Sequence, residues 1–401
     1  MDLPTNLSSL AGQRVLVTGG TGFIGGRLVE KLVLECQAQV RVLLRNFTRA
    51  LRIARFPVEM VYGDVLQAED VERAARGCDV IFHCAYGNSG SPEAQRSVNV
   101  QGTQHVLDAV LHTGITRVVH LSTLMVYGRT PEGDLDESAP RRYWGDVYAD
   151  SKLDAEKLAC EYVERYRLPV VVLQPGGVYG PFAAAWTMNV LKSLKKGRVI
   201  LVDGGEGLCN AVYVDDVVSA MLLAAVQRNA VGETFLVAGA QPVTWKEFFT
   251  RYERMLGLSR TVCMSAAEAE AYYARNQRKV GLLGELSKML RAGASLQGPL
   301  FRTPEVAACL KVARALTPKP VRNFLKRQLG DPSRAAKPQA TSDPEPSIQA
   351  LPPVMVQLYR AKTRVRIDKA RAMLHYEPAF DFEKGMHVTE QWARWSGWLD
   401  G

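Results

Sequence analysis

Val15-Leu16-Val17-Thr18-Gly19-Gly20-Thr21-Gly22-Phe23-Ile24-Gly25 is the stretch from which the fold can be read. The apolar run Val15 to Val17 predicts a buried parallel strand, and Leu28, Leu32 and Val33 open a helical period just downstream. Gly19, Gly22 and Gly25 stand between them at intervals of three. Glycine is needed there so that the chain can turn tightly, so that a pyrophosphate can meet bare backbone, and so that helix and strand can pack closely. The helix start, at Phe23 and Ile24, then directs its N–H groups and positive dipole end at the phosphates. Turn glycines are common, but this set lies directly between a strand and a helix, which is the context of a dinucleotide site.

Outward from that loop, Val40 to Arg45 predicts a second parallel strand. A chain that reads NAD places Asp or Glu about 20 residues past the loop, on the ribose hydroxyls. Arg45 occupies that distance from Gly25. Arginine cannot accept from those hydroxyls, but it can hold a 2′-phosphate through charge-assisted bonds, which favours NADP(H) over NAD(H). The plainer alternative is a solvent-facing arginine at a strand end. Met60 to Val65 predicts a third strand, with Asp64 set to accept from an adenine amino group. Asp79 to Ala85 predicts a fourth, whose end at Cys84 and Ala85, with Tyr86, would lie along the cofactor. A helix carrying Asn99 and the apolar positions Val106, Leu107, Val110 and Leu111 follows, then a fifth strand ending in Ser122 and Thr123. The alternation implies an α/β protein with a Rossmann-type doubly wound parallel sheet and ligands at the carboxyl ends of its strands.

Some 25 residues past Thr123 comes Tyr148-Ala149-Asp150-Ser151-Lys152. On a helix, Tyr148 and Lys152 share a face. A free tyrosine with a pKa near ~10 is only about 0.1% ionised at pH 7, a deficit of roughly 4 kcal/mol. An ammonium group beside the phenol is expected to favour its ionisation. Tyr148 then exchanges a proton with a substrate oxygen that Thr123 also holds. Most Y-x-x-x-K pairs are only neighbours on a helix surface. After a complete glycine loop and a hydroxyl-ended strand, this one reads as catalytic.

The 401 residues suffice for a two-lobed unit with an insertion. No apolar run is long enough to span a bilayer, and the start of the chain has no signal-peptide core. The seven cysteines are scattered without a C-x-x-C pair, which suits reduced thiols and a cytoplasmic setting. The six histidines are dispersed, so no metal site is expected. The net charge of +9 is local: residues 251–340 hold 17 Lys and Arg against 6 Asp and Glu.

These motifs together resemble an extended short-chain dehydrogenase/reductase, in the NAD-dependent epimerase/dehydratase family. The matching pieces are TGGTGFIG (Thr18 to Gly25), GDV (Gly63 to Val65), HCA (His83 to Ala85), VNVQGT (Val98 to Thr103), HLSTLMVYG (His120 to Gly128), YADSK (Tyr148 to Lys152), QPGGVYGP (Gln174 to Pro181) and YVDD (Tyr213 to Asp216). The resemblance implies Thr123, Tyr148 and Lys152 as the catalytic set, with Lys152 also bonding the nicotinamide ribose and Asn99 in support. It also implies that Pro175, Val178 and Val65 face the cofactor, and that a homodimer forms through the helices bearing Asn99 and Tyr148. Departures narrow the reaction. Leu124 and Met125 stand where family dehydratases and decarboxylases carry acidic residues, and apolar side chains cannot move protons. Cys209 stands where nucleotide-sugar epimerases often carry a diphosphate-gripping Arg. Gln174 and Gly177 likewise replace an Arg and an Asn. The expectation is NAD(P)-dependent hydride transfer at a secondary alcohol or ketone of a small-molecule substrate, bulky and sugar-like or lipid-like. The alternatives are a nucleotide-sugar epimerase that retains its cofactor and a non-catalytic NADP-binding sensor.

Residues 1–175 are expected to form the cofactor domain, and 176–258 with 354–401 a smaller substrate lobe. Trp186 to Lys196 is expected to line the substrate cleft, Asp215 or Asp216 to cap a helix, and Thr244 with Glu247 to form a capping box. Residues 259–330 carry three basic amphipathic stripes, read either as a helical lid or as a peripheral contact with the anionic inner face of a membrane. The segment lacks the clustered aromatics of a nucleic-acid surface. Pro332, Pro338, Pro344, Pro346, Pro352 and Pro353 mark 331–353 as a flexible linker. Structure is expected to resume near Thr363 and to include a helix ending at Leu374. His375 then replaces the glycine of the family's closing element. Trp392, Trp395 and Trp398 suggest a packing ridge.

Overall fold

The alternation read from the sequence becomes β1 (Arg14–Thr18), α1 (Phe23–Leu34), β2 (Gln39–Leu44), β3 (Glu59–Tyr62), α2 (Ala68–Ala75), β4 (Val80–His83), α3 (Pro92–Leu111) and β5 (Arg117–Leu121). After β6 (Gly133–Leu135) come α4 (Val147–Tyr166), β7 (Val170–Pro175), β8 (Gly177–Tyr179), α5 (Asn189–Lys196), β9 (Val199–Val202), β10 (Ala211–Tyr213), α6 (Val214–Val226) and β11 (Thr234–Val237). α7 (Trp245–Leu256), β12 (Thr261–Met264), α8 (Pro353–Arg360), β13 (Thr363–Val365), α9 (Asp368–Leu374) and α10 (Phe382–Trp395) follow. This computed structural model describes residues 5–87, 89–129, 132–277 and 346–400. Described residues up to Glu270 and from Ser347 onward form one unit.

Seven strands run parallel in the order β11-β7-β5-β4-β1-β2-β3. The order reverses at β1, so the crevice for a ligand opens beyond the carboxyl ends of β1 and β4. Val15, Leu16, Val17, Ile81, Phe82 and Val119 are fully buried, as a sheet covered on both faces requires. Val106, Leu107 and Val110 seal α3 against it, whereas Leu111 at the end of that helix is 38% exposed. β11 joins the sheet beside β7, so the sheet extends past residue 175.

Several expectations are revised. Asp215 and Asp216 lie inside the first turn of α6, which starts without a side-chain cap. Asp215 instead takes two 2.7 Å hydrogen bonds from Arg27 of α1, while Asp216 accepts from the backbone N–H groups of Ala379 and Phe380. Burial pushes the Asp216 carboxyl up to about 6. The capping box of Thr244 and Glu247 is present in full. Within 259–330, Thr261–Met264 is a strand paired with β9; residues 278–330 lie outside the described residues. The last part of the expected linker docks: Ser347 and Gln349 exchange backbone bonds with Arg198, and α8 begins at Pro353. α9 does end at Leu374. The tryptophan ridge is broken, since Trp392 tilts against Phe182 but Trp395 is 83% exposed.

Candidate active site

The glycine loop is a cradle that side chains would fill. Gly19 has φ +71°, and a Cβ there would come within 2.7 Å of the Cys84 carbonyl and the Ala85 nitrogen. A side chain on Gly25 would overlap the Gly19 carbonyl oxygen. Gly22 caps α1 without a side-chain hydrogen bond, which leaves the first-turn N–H groups of Phe23 and Ile24 for an anion. Cys84 and Ala85 follow β4 against this loop, and Val65 packs beside Gly102 of α3. Past β2, Arg45 is well exposed and its Nη1 lies 3.4 Å from Asp64 Oδ2, while Asp64 Oδ1 accepts from Leu66 N–H. Pro175 ends β7, and Val178 is buried in β8. The bare glycine backbone and the open start of α1 fit the pyrophosphate of a dinucleotide.

A chain of hydrogen bonds ties this cradle to α4. Thr103 donates to the Asn99 carbonyl at 2.6 Å, so its oxygen receives the Nε2–H of His83 at 3.0 Å. Nδ1 of His83 therefore accepts from Thr18 at 2.7 Å. Burial lowers His83 to about 3, consistent with this neutral ring. Asn99 itself receives Gly87 N–H and donates to Ser151, whose hydroxyl reaches the Tyr148 carbonyl.

Thr123 and Tyr148 are brought together, and Lys152 lies one turn further along α4. Thr123 follows β5 and starts a tight turn over Leu124–Tyr127, its hydroxyl accepting from Met125 N–H. Asp146 caps α4. Tyr86 stands edge-on to Tyr148 with ring centroids 6.0 Å apart. The expectation of a phenol acidified by Lys152 is corrected. Burial pushes Tyr148 up to about 12, opposed by the Thr123 hydroxyl, and Lys152 is not among the groups that move it. The Lys152 amine is buried, donates to the Leu121 carbonyl at 2.7 Å, and is itself lowered to about 8 by desolvation. At neutral pH the phenol keeps its proton.

Sequence reading missed the support beneath these groups. Glu156, fully buried one turn after Lys152, receives the Ser122 hydroxyl at 2.5 Å and the Gln174 amide at 2.8 and 3.0 Å. Arg141 closes on its other side at 2.5 Å, and Tyr127 donates to Gln174. Glu156 in turn raises the Lys152 amine, against the larger lowering by burial. The i+4 spacing from Lys152 was the available signal; Arg141, 15 residues upstream, gave none.

A cavity of about 240 Å³ opens beside Leu124 and Met125, the two residues after Thr123. Its opposite wall comes from 357–363. Trp186, expected in the cleft, packs on Trp245 and Phe248, and Val190, Leu191 and Leu194 of α5 are buried in the core. Cys209 does line the cavity, as a buried thiol whose pKa desolvation raises. Among the described residues no His, Cys, Asp or Glu cluster could hold a metal.

Residues 15–238 match the model of the NAD dependent epimerase/dehydratase family. The chain is 32% identical over 244 residues to the 4-hydroxy-2-methyl-3-oxo-4-farnesyl-3,4-dihydroquinoline-1-oxide ketoreductase of Stigmatella aurantiaca, covering 59% of this chain and 71% of that one. It is 29% identical over 257 residues to the 2-alkyl-3-oxoalkanoate reductase of Shewanella oneidensis, covering 60% and 66%. Among solved structures, the dTDP-glucose 4,6-dehydratase of Streptomyces venezuelae, crystallised with NAD, superposes with a TM-score of 0.66 at 22% identity, covering 96% of this chain and 99% of that one. At that identity the likeness speaks for the fold. Glycine cradle, parallel sheet and matched sequence lead to one conclusion: the chain belongs to the NAD-dependent epimerase/dehydratase family and is an NAD(P)-dependent oxidoreductase of the extended short-chain type.

Proposed function

We propose that the protein is a ketoreductase that uses NADP(H), reducing the ketone of a bulky apolar substrate to a secondary alcohol, with Tyr148 as proton donor. The observation that carries this reading is the half-buried Tyr148, whose phenol faces Thr123 and is held protonated at neutral pH, so that it can give a proton to a developing alkoxide. Bound cofactor would supply the hydride. Thr123 would hold the substrate oxygen, and Lys152, fixed on the Leu121 carbonyl, would bring positive charge beneath it while the pH stays below about 8. Leu124 and Met125 have no proton to exchange, which disfavours elimination and leaves simple reduction. Both curated relatives named above are reductases by name.

Arg45 supports NADP(H): β2 ends without a carboxylate for the ribose hydroxyls, and the guanidinium is exposed. A cytoplasmic homodimer through α3 and α4 is part of the same reading, as is contact of 259–330 with an anionic membrane. The cysteines of the described residues are unpaired, and no helix among those residues could cross a membrane. Replacing Tyr148 with Phe tests the proposal. Turnover of ketones should fall about 10²- to 10⁴-fold with cofactor affinity retained; unchanged turnover would rule out the mechanism.

A further inference from the structure

The cavity beside Leu124 and Met125 has two chemical characters. Leu124, Met125, Leu135, Leu208 and Leu358 give it an apolar interior, with the Trp144 ring on one side. Arg129, Arg360 and Lys362 also line it, against the single carboxylate of Glu132. Arg360 has a loose partner outside, Asp203 at 3.8 Å. Arg360 and Lys362 are not on a free-swinging loop. Leu208 N–H donates to the Ala361 carbonyl at 2.8 Å, and buried Asn210 grips both the Thr363 carbonyl at 2.8 Å and the Val365 N–H at 3.0 Å. Gly207 lets the Tyr359 backbone approach where any side chain would collide. Trp144 Nε1 donates to Gln357 at 3.3 Å. The backbone carrying these two cations is therefore fixed opposite the catalytic strand end, in a part of the chain outside the family match at 15–238.

From this arrangement we infer that the substrate is an amphipathic anion: a carbonyl compound with an apolar body along Leu124, Met125 and Leu358, and a carboxylate, remote from the reacting ketone, met by Arg129, Arg360 and Lys362. The inference rests on the ketoreductase reading for its chemistry but not for its binding test. An excess of cations facing an apolar interior would hold such a molecule by one end and leave its ketone toward Thr123.

The test uses a series of (ω−1)-oxo fatty acids of increasing chain length, each paired with its neutral methyl ester. Binding to the full-length protein is followed by tryptophan fluorescence, and turnover by NADPH oxidation. The best acid should bind roughly tenfold more tightly than its ester, since three partly exposed charge contacts are each worth little alone. The preference should shrink with added salt and fall toward one in Arg129→Gln combined with Lys362→Gln. Equal dissociation constants for acid and ester at every length, or a preference that survives both substitutions, would overturn the inference. Ester turnover without preference for the acid sinks this inference alone. Preferential binding of the acid with oxidation of NADPH by neither compound leaves the inference standing and sinks the ketoreductase reading.

Discussion

The glycine cradle and the cavity wall at 357–363 are made by opposite means. The cradle is backbone, built on one strand-turn-helix unit from Gly19, Gly22 and Gly25, whose neighbours are themselves main chain, those of Gly19 at Cys84 and Ala85 after β4. The wall at 357–363 is held by bonds that reach across more than 150 residues, from Asn210 to Thr363 and from Leu208 to Ala361. A cradle of main chain leaves no room for a side chain at Gly19 or Gly25. A clamped wall can be retuned residue by residue.

The largest effect should come from breaking the cradle. Gly25→Val puts a branched side chain into the Gly19 carbonyl, so dinucleotide affinity should fall by at least about 100-fold, with main-chain displacement and a cost of several kcal/mol. Cofactor titration and thermal melts would measure both. A variant that binds cofactor normally would remove the reason for the glycine.

Next is Glu156→Gln. Glutamine keeps the shape but removes the carboxylate to which Ser122 and Gln174 donate and with which Arg141 pairs. The expected loss is about 2–3 kcal/mol of stability, read by denaturant melts. The sign of the pH effect follows from the charges. Glu156 raises the Lys152 amine, so its removal lowers a pKa already near 8. The ammonium is then lost at lower pH, and the alkaline fall in kcat/KM should move downward. A profile that stays in place while stability drops would make Glu156 structural only.

Asn210→Ala bears on the wall. Two buried hydrogen bonds are lost, worth about 2 kcal/mol together. KM for the carbonyl substrate should rise while cofactor affinity holds. Loss of both affinities in parallel would mean that wall and cradle are not separable.

How much was legible follows the same division. The glycine loop, the order of the first five strands, and the placing of Tyr148 and Lys152 on one helix are local patterns, and local patterns survive in one dimension. The electrostatics did not. Spacing put Lys152 near Tyr148 but could not say that burial would act on each separately, sending the phenol up and the amine down. Arg141 as partner of Glu156, and the wall at 357–363, depend on tertiary clamps that no periodicity announces. Asp215 and Asp216 looked like caps because capping is the commonest use of Asp there. Arg27 and the 379–380 backbone claimed them instead.

The smallest effect, and the only one expected to be stabilising, is at His375. This residue ends α9 in the left-handed region at φ +56°, its N–H bonded to the Arg371 carbonyl. That is the position where a helix end favours glycine, because a Cβ crowds the following carbonyl at roughly 1–2 kcal/mol. Glycine also loses more backbone freedom on folding, about 0.5–1 kcal/mol, so the two terms oppose each other. His375→Gly should therefore gain about 1 kcal/mol or less, a rise in Tm of a degree or two in a chain this long. α9 leads into buried Tyr376, whose hydroxyl donates to the Ala238 carbonyl just past β11. The gain should thus appear in global unfolding and leave kcat and both affinities alone. A fall in Tm would mean that the imidazole contributes more than its backbone strain costs.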